Sequence, residues 1–239
     1  MKRLVLHLVL ISSFLSAGFA QQATMAPPSA HAAQAQPSSA DAIWADLMAG
    51  NRRFVSGKTK AVSVIPLRDG LAKGQQPKVA VLACSDSRVG PEIIFDKNLG
   101  DLFVVRSAGN IADAIGIGSL EYAVEHLGST VLVVLGHTRC GAVSAACSSD
   151  KMPTANLQAI VDKISPAVTK VRPQSKGADD LLEKAVVENV HLSAHDVITS
   201  SPVLRHFLHD GKLTVFEAVY KLDSGEVVKL GEISGSSHE

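Results

Sequence analysis

Short, continuous apolar runs in the middle of the chain predict strands that are buried on both faces of a sheet. These runs are Val79–Ala83, Leu102–Val105 and Thr130–Leu135. None of them alternates apolar and polar side chains, as a strand with one solvent-exposed face would. Between the second and third runs, Leu120, Val124 and Leu127 recur at helical spacing, and Gly128 predicts the end of that helix. Strands separated by helices favour βαβ units and a mainly parallel sheet.

Two further helical patterns flank this region. The first begins at Asp41, a predicted N-cap, and runs to Ser56, with Gly57 beyond its end. The second runs from about residue 179 to residue 199 and places Leu182 and Val186 on one stripe. The first pattern therefore predicts an N-terminal helical arm, and the second predicts a long helix after the strands.

The C-terminal segment has the pattern of an antiparallel hairpin. Leu213–Leu222 and Val227–Leu230 are rich in β-forming residues and flank the turn Asp223-Ser224-Gly225. Together these patterns predict the α/β fold class. We expect a single domain with a mainly parallel β-sheet flanked by helices, an antiparallel C-terminal hairpin and an N-terminal helical arm.

The first 20 residues have the pattern of a secretory signal peptide. Lys2 and Arg3 precede the apolar stretch Leu4–Leu15, and the small residues Gly18 and Ala20 precede a cleavage position. The apolar stretch is shorter than the about 20 residues that a membrane-spanning helix needs, which disfavours an uncleaved anchor. We therefore expect cleavage before residue 21, a periplasmic or secreted protein, and no membrane association after cleavage.

Residues 21–40 are dominated by Ala, Gln, Pro and Ser and contain no Lys, Arg, Asp or Glu. A segment of this composition cannot bury enough apolar surface to offset the entropy lost on ordering, so it is predicted to be a disordered linker. The sequence thus divides into a signal peptide (1–20), a linker (21–40) and one catalytic domain (41–239).

Composition excludes several classes of protein without naming a function. The chain of 239 residues is 46% hydrophobic and 19% charged, as in ordinary globular domains. Lys plus Arg equals Asp plus Glu at 23 each, so no overall field indicates nucleic acid as a partner. The 3 cysteines are too few for a disulfide scaffold.

Two short motifs carry residues suited to metal chemistry, and each directly follows a predicted strand. ACSDSR at 83–88 contains Cys84, Asp86 and Arg88, and GHTRCG at 136–141 contains His137 and Cys140. The carboxyl ends of parallel strands are where open α/β sheets place their sites. Two thiols and one imidazole suit zinc, and three protein ligands leave a position open, as in catalytic zinc sites. Cys147 is expected to lie too far away to join them.

The motifs leave two other interpretations open. In the first interpretation, Cys84 and Cys140 form a disulfide bond. The oxidising environment outside the cytoplasm would allow that bond, but it would leave His137 without a role. Cys84 is a nucleophile activated by His137 in the second, which leaves Cys140 without a role. A third group, His191 and His195, has metal-like spacing on a predicted helix, but we interpret both as structural or surface histidines.

The chain resembles the β-class carbonic anhydrases over roughly residues 42–231. The resemblance rests on CSDSRV at 84–89, FVVRSAGN at 103–110, GSLEYAVEHLG at 118–128 and VVLGHTRCGAV at 133–143. It implies Cys84, His137 and Cys140 as ligands of one Zn²⁺ per chain, and Asp86 with Arg88 as the catalytic dyad. It also implies a homodimer or a dimer-based higher oligomer, in which the N-terminal helix embraces the neighbouring subunit.

The implied activity is the reversible hydration of carbon dioxide to bicarbonate and a proton by zinc-bound hydroxide. In this interpretation Asp86 accepts a hydrogen bond from the nucleophile, and Arg88 keeps Asp86 ionised and oriented. An ordinary surface salt bridge is the alternative for that pair. Two other functions remain open for the fold: hydrolysis of a carbon dioxide analogue such as carbon disulfide, and a non-catalytic zinc-binding module. A purely structural zinc site has no need of the Asp86/Arg88 pair.

Overall fold

The computed structural model describes residues 39–60, 64–148 and 150–235. The predicted signal peptide and all but the last two residues of the predicted linker lie outside the described residues. Both boundaries therefore stay predictions.

Helices and strands alternate through the described part of the chain. The helices are α1 (Ala40–Val55), α2 (Arg68–Leu71), α3 (Pro91–Ile94), α4 (Ala114–Glu125), α5 (Gly141–Ser148), α6 (Ala155–Val171), α7 (Ala178–Ser200) and α8 (Pro202–His209). The strands are β1 (Val79–Cys84), β2 (Leu102–Ser107), β3 (Val131–His137), β4 (Thr214–Tyr220) and β5 (Val227–Ile233). Short 3-10 turns cover Ala108–Asn110 and Arg172–Gln174.

The five strands form one sheet in the order β2-β1-β3-β4-β5. All neighbouring pairs are parallel except β4 and β5, which are antiparallel. Val79 at the start of β1 aligns with Leu102 on one side and Val131 on the other, so the carboxyl ends of β1, β2 and β3 meet at one edge. The predicted parallel sheet and the antiparallel hairpin are both confirmed.

Both faces of the sheet are covered, which is why the strands show no polar alternation. On one face, Val79, Val81 and Ala83 of β1 pack in a cluster with residues of α1 and α3. On the other face, Ala80, Leu82 and Cys84 face a larger cluster built from helices α4 to α8. Cys84 therefore points into the larger core because successive strand residues face opposite sides.

The N-terminal helix differs from its prediction in two respects. Its N-cap is Ser39, whose side chain accepts a hydrogen bond from the backbone N–H of Ala42 at 3.2 Å, so the predicted cap at Asp41 is wrong. Asp41 instead lies in the first turn, where a carboxylate interacts favourably with the helix dipole. The apolar face of α1 buries Ile43 and Leu47 in the cluster of its own sheet, and the expected contact of this helix with a neighbouring subunit stays a prediction.

The apolar patterns predicted α1, α4 and α7 but missed α6, which at 17 residues is longer than α1 or α4. The helix predicted over residues 179–199 is α7, which begins one residue earlier and ends one residue later than predicted. Helices α5, α6 and α8 were not predicted, although the buried side chains of α6 (Val161, Ile164 and Val168) have helical spacing. None of the helices in the described part of the chain has the length and apolar character that crossing a bilayer requires.

Candidate metal centre

The structure brings Cys84, His137 and Cys140 together at the carboxyl edge of the sheet. Cys84 is the last residue of β1, His137 is the last residue of β3, and Cys140 immediately precedes α5. Their ligand atoms all lie within 4.8 Å of one another, and all three residues are buried. Arg139 lies between His137 and Cys140 and adopts φ = 55°, a left-handed conformation that turns the backbone between these two residues. Cys147 lies outside the group, as predicted.

The hydrogen bond of the His137 ring determines which nitrogen is available to a metal. Nδ1 lies 2.9 Å from the carbonyl oxygen of Thr138, and a carbonyl only accepts, so Nδ1 carries the proton and donates. Nε2 then has a free lone pair; it is buried and has no hydrogen-bond partner among the described residues. A metal-ligating histidine characteristically donates its other N–H to a carbonyl or carboxylate. A metal ion fits this otherwise unpaired atom.

The two cysteine sulfur atoms lie close together but too far apart for a disulfide bond. Their Sγ atoms are 4.0 Å apart, about twice the length of a disulfide bond, and both thiols are free. The hydrogen bond with Cys140, aided by His137, lowers the pKa of Cys84 to about 4. The same hydrogen bond, together with burial, raises the pKa of Cys140. A metal that prefers thiolates would displace the protons of both thiols on binding. This geometry disfavours the disulfide interpretation.

Asp86 and Arg88 form a paired group at the mouth of this cluster. Arg88 donates from Nε to Asp86 Oδ1 at 2.9 Å and from Nη2 to Oδ2 at 2.7 Å, and its backbone N–H also donates to Oδ1 at 2.9 Å. These bonds hold the pKa of the Asp86 carboxyl well below its usual range. Asp86 Oδ2 also lies 3.8 Å from His137 Nε2. The carboxylate thus faces the candidate metal ligands, whereas an isolated surface salt bridge would face only solvent.

A second arginine, which the motifs did not single out, holds the loop that carries Cys84 and Asp86. Arg106 donates from Nε to the carbonyl oxygen of Cys84 at 3.0 Å and from Nη2 to that of Asp86 at 2.6 Å. It lies next to Ala83 in the β1–β2 register, one residue before the last pair of these two strands. Arg106 directly follows the predicted strand Leu102–Val105. In a parallel sheet this position lies at the same edge as the first motif, so the sequence contained a signal for its role.

Comparison with known proteins identifies the family. A family model described as carbonic anhydrase matches residues 79–227, which is more than half of the chain. The chain belongs to the β-carbonic anhydrase family.

The similarity of this carbonic anhydrase to its relatives extends beyond the two motifs. It is 37% identical to carbonic anhydrase 2 of Mycobacterium tuberculosis over 202 residues, which cover 83% of this chain and 96% of the relative. It is 36% identical to the carbonic anhydrase of Mycolicibacterium smegmatis over 190 residues, covering 78% and 91%. The β-carbonic anhydrase of Coccomyxa, solved with acetazolamide, superposes with a TM-score of 0.64 at 27% identity, covering 73% of this chain and 90% of that one.

Each of the two histidines on α7 has its own contacts, away from the candidate metal centre. His191 Nδ1 lies 2.9 Å from Glu217 Oε2 on β4, and His195 is an exposed residue near Asp196. Within residues 39–60, 64–148 and 150–235, Cys84, His137 and Cys140 are the one group of side chains arranged to hold a metal. The interpretation of His191 and His195 as structural or surface residues is confirmed.

Proposed function

We propose that this carbonic anhydrase binds one Zn²⁺ per chain through Cys84, His137 and Cys140 and uses it to interconvert carbon dioxide and bicarbonate. The observation that carries the proposal is the buried Nε2 of His137, which has no partner among the described residues and lies beside two sulfur atoms. Two thiolates and an imidazole are a donor set that zinc accepts, and three protein ligands leave one position open for chemistry. The comparisons favour neither carbon disulfide hydrolysis nor a non-catalytic module.

The protein residues around the metal position hold its ligands in place. A zinc ion, when bound, supplies the Lewis acidity that makes water a nucleophile at moderate pH. The carbonyl of Thr138 fixes the tautomer and ring orientation of His137. The backbone N–H of Gly109 donates to Cys84 Sγ at 3.3 Å and so sets the orientation of that thiolate. Burial of all three ligands limits exchange with bulk water.

Asp86 is proposed to orient the attacking water. Its carboxylate is ionised because Arg88 holds its pKa well below the usual range, so Oδ2 can only accept a hydrogen bond. Accepting the remaining hydrogen of the nucleophile fixes the direction of its lone pair toward carbon dioxide. Arg88 keeps the carboxylate from rotating because it contacts both oxygen atoms.

Stopped-flow measurement of carbon dioxide hydration, combined with elemental analysis, tests this function. We expect about one zinc per chain and catalysis in the unmodified protein. His137→Ala should lose both zinc and rate, and Asp86→Asn should keep zinc but lose rate. Asp223→Asn, a matched change in the exposed hairpin turn, should keep both. Catalysis by zinc-free protein, or full zinc content in His137→Ala, would refute the proposal.

We further propose that the protein is exported and forms a homodimer. The charged, apolar and small-residue segments at the N-terminus support export. Mass spectrometry of the secreted or periplasmic product should find a mature chain that begins near Gln21. Helix α4, whose Ile115 is 81% exposed, packs against the edge strand β2, and we propose this edge of the sheet as the surface for a second copy. Analytical ultracentrifugation should show a dimer or a multiple of it, and a monomer at all concentrations would refute the assembly.

A further inference from the structure

Asn189 is a buried polar residue on α7, and the proposed catalytic chemistry has no place for it. Only 1% of its surface is exposed, and its side chain lies near the large apolar cluster under the sheet. Its Nδ2 donates to the carbonyl oxygen of Gly109 at 2.8 Å, across 80 residues of sequence. Its Oδ1 is buried without a hydrogen-bond partner among the described residues. A buried amide with an unpaired oxygen lowers the stability of the fold. The presence of Asn189 at this position therefore requires an explanation, and its bond to Gly109 offers one.

Gly109 connects this amide to the candidate metal centre. The carbonyl of Gly109 accepts from Asn189, while the N–H of the same residue donates to Cys84 Sγ at 3.3 Å. Gly109 adopts φ = 72°, a left-handed conformation, and a Cβ there would come within 2.7 Å of the Ile164 side chain on α6. The N–H and the carbonyl of Gly109 belong to successive peptide planes that share its Cα. Anchoring the carbonyl to Asn189 and packing against Ile164 therefore limit movement of the Cα from which the N–H reaches the sulfur.

Helix α7 also packs against the motif that carries His137 and Cys140, through the residue that follows Asn189. Gly136 directly precedes His137, and a Cβ on Gly136 would lie 2.5 Å from the Val190 side chain. Val190 follows Asn189 along α7, so the helix contacts the carboxyl end of β3 and the Gly109 turn together. Packing of Val190 against Gly136 thus fixes the position of α7 relative to β3, and with it the position of the Asn189 amide relative to the Gly109 carbonyl.

We propose that Asn189 is a positioning residue for the metal centre: by holding the Gly109 carbonyl, it aims the Gly109 N–H at the sulfur of Cys84. A hydrogen bond to a metal-bound thiolate orients the sulfur and reduces the charge it donates, and the partners of metal ligands affect both affinity and electronic properties. The inference rests on the proposed metal function, because it assigns Cys84 as a ligand.

Two substitutions remove the amide in different ways, and one distant asparagine provides a matched control. Asn189→Leu removes the donor and keeps the number of side-chain heavy atoms, and Asn189→Ala removes it without overpacking. Asn51 is also a buried asparagine, but it lies on the opposite side of the sheet and bonds Ile94, Gly225 and Val227. Asn51→Ala therefore loses more hydrogen bonds than either change at Asn189 and touches none of the candidate ligands.

The experiment measures zinc affinity by chelator competition and the thiolate-to-metal charge-transfer bands of the Co²⁺-loaded chain, with thermal unfolding in parallel. We expect Asn189→Leu and Asn189→Ala to bind zinc about 10-fold to 100-fold more weakly and to shift the Co²⁺ bands. Asn51→Ala should lower the melting temperature more than either of them but leave zinc affinity and the bands unchanged. If one variant at position 189 does not fold, the other still provides the comparison.

The possible outcomes separate this inference from the proposed function. Normal zinc affinity and unshifted Co²⁺ bands in the folded Asn189 variants would overturn the positioning role while leaving the metal centre intact. An equal loss of zinc affinity in Asn51→Ala would also overturn it, since the effect would then follow general destabilisation. Failure of the unmodified chain to bind zinc would refute the proposed function itself.

Discussion

Arg88 contacts both carboxylate oxygens of Asp86, at 2.9 Å from Oδ1 and 2.7 Å from Oδ2, although its own side chain is 56% exposed. Salt bridges at this exposure contribute little to folding stability. The geometry instead fixes the plane of the carboxylate, whose Oδ2 lies 3.8 Å from His137 Nε2. Orientation of Asp86, and not stabilisation of the fold, is therefore the main consequence of the pair.

The dyad predicts how Arg88→Ala changes the dependence of rate on pH. The pKa of Asp86 is well below its usual range, so Asp86 stays ionised from about pH 6 to about pH 9 and contributes no inflection there. In that range the wild-type rate should rise with pH, because two thiolate ligands leave zinc less able to acidify water than three histidines do. Arg88→Ala should lower the rate by at least about 10-fold, most strongly at alkaline pH where the wild type is best.

Steady-state rates across this range, with zinc content measured on the same samples, check the prediction. Arg88→Ala should retain its zinc because Arg88 contacts Asp86 and none of the candidate ligands. A flat wild-type profile, or an Arg88→Ala enzyme with normal turnover, would contradict this role of the dyad.

The three cysteines should differ sharply in their contribution to metal binding. Cys84→Ala and Cys140→Ala each remove one sulfur from the group, and we expect both to lose zinc and activity. Cys147→Ala is the matched control: this thiol is partly buried outside the group, and burial raises its pKa. Elemental analysis should find normal zinc in that variant. Full zinc content in Cys140→Ala would exclude it as a ligand.

The pair formed by His191 and Glu217 predicts a pH-dependent stability. The hydrogen bond to Glu217 raises the pKa of His191, Glu188 adds to the effect, and Lys170 opposes it. Because the folded value is the higher one, the stabilisation is fully present below the unfolded value of about 6.5 and is lost as pH rises through the raised value. Glu217→Gln should therefore reduce stability at about pH 6 more than at about pH 8.5.

Thermal unfolding at these two pH values provides the measurement. His191 is more than one third exposed, so solvent screening keeps the expected difference small. An equal loss of melting temperature at both values would show that Glu217 acts through packing and not through the charge of His191.

Two glycine-to-alanine changes should have opposite effects on stability. A Cβ at Gly136 would lie 2.5 Å from Val190, a stiff and fully buried side chain, so Gly136→Ala should cost about 1–3 kcal/mol and displace α7. Gly118 lies inside α4 with open space at its Cβ position, so Gly118→Ala should stabilise the protein by about 0.5–1 kcal/mol. Urea unfolding of both variants tests this, and equal stabilities would contradict the close approach of α7 to β3.

The N-cap at Ser39 predicts where the N-terminal segment becomes important for stability. Deleting residues 21–38 should leave the melting temperature nearly unchanged, whereas Ser39→Ala should cost about 1 kcal/mol through loss of the cap. Asp41→Asn is a useful comparison, because Asp41 lies in the first turn and does not cap the helix. A large effect of the deletion would show that the segment packs on the domain.

Hydrophobic patterning predicted the elements of this fold better than it predicted their ends and partners. The continuous apolar runs identified β1, β2 and β3 because strands covered on both faces need no polar positions. Asp41 was wrongly predicted as the cap because Ser39 and Asp41 both suit that role, and only the backbone conformation at Ser39 separates them. Helix α5 was not predicted, since its small residues give little contrast between its two faces.

The sequence by itself determined that Cys84, Asp86 and Arg88 lie close to His137 and Cys140. Each motif directly follows an apolar run, and parallel strands end at a common edge, so the topology brings the motifs together. Only the tertiary structure decided that Asp86 Oδ2 lies 3.8 Å from His137 Nε2, that α1 packs on its own sheet and that Asn189 meets Gly109. Periodicity states which face of an element is buried. The partners of that face depend on strand register and helix rotation, which arise only when distant segments pack together.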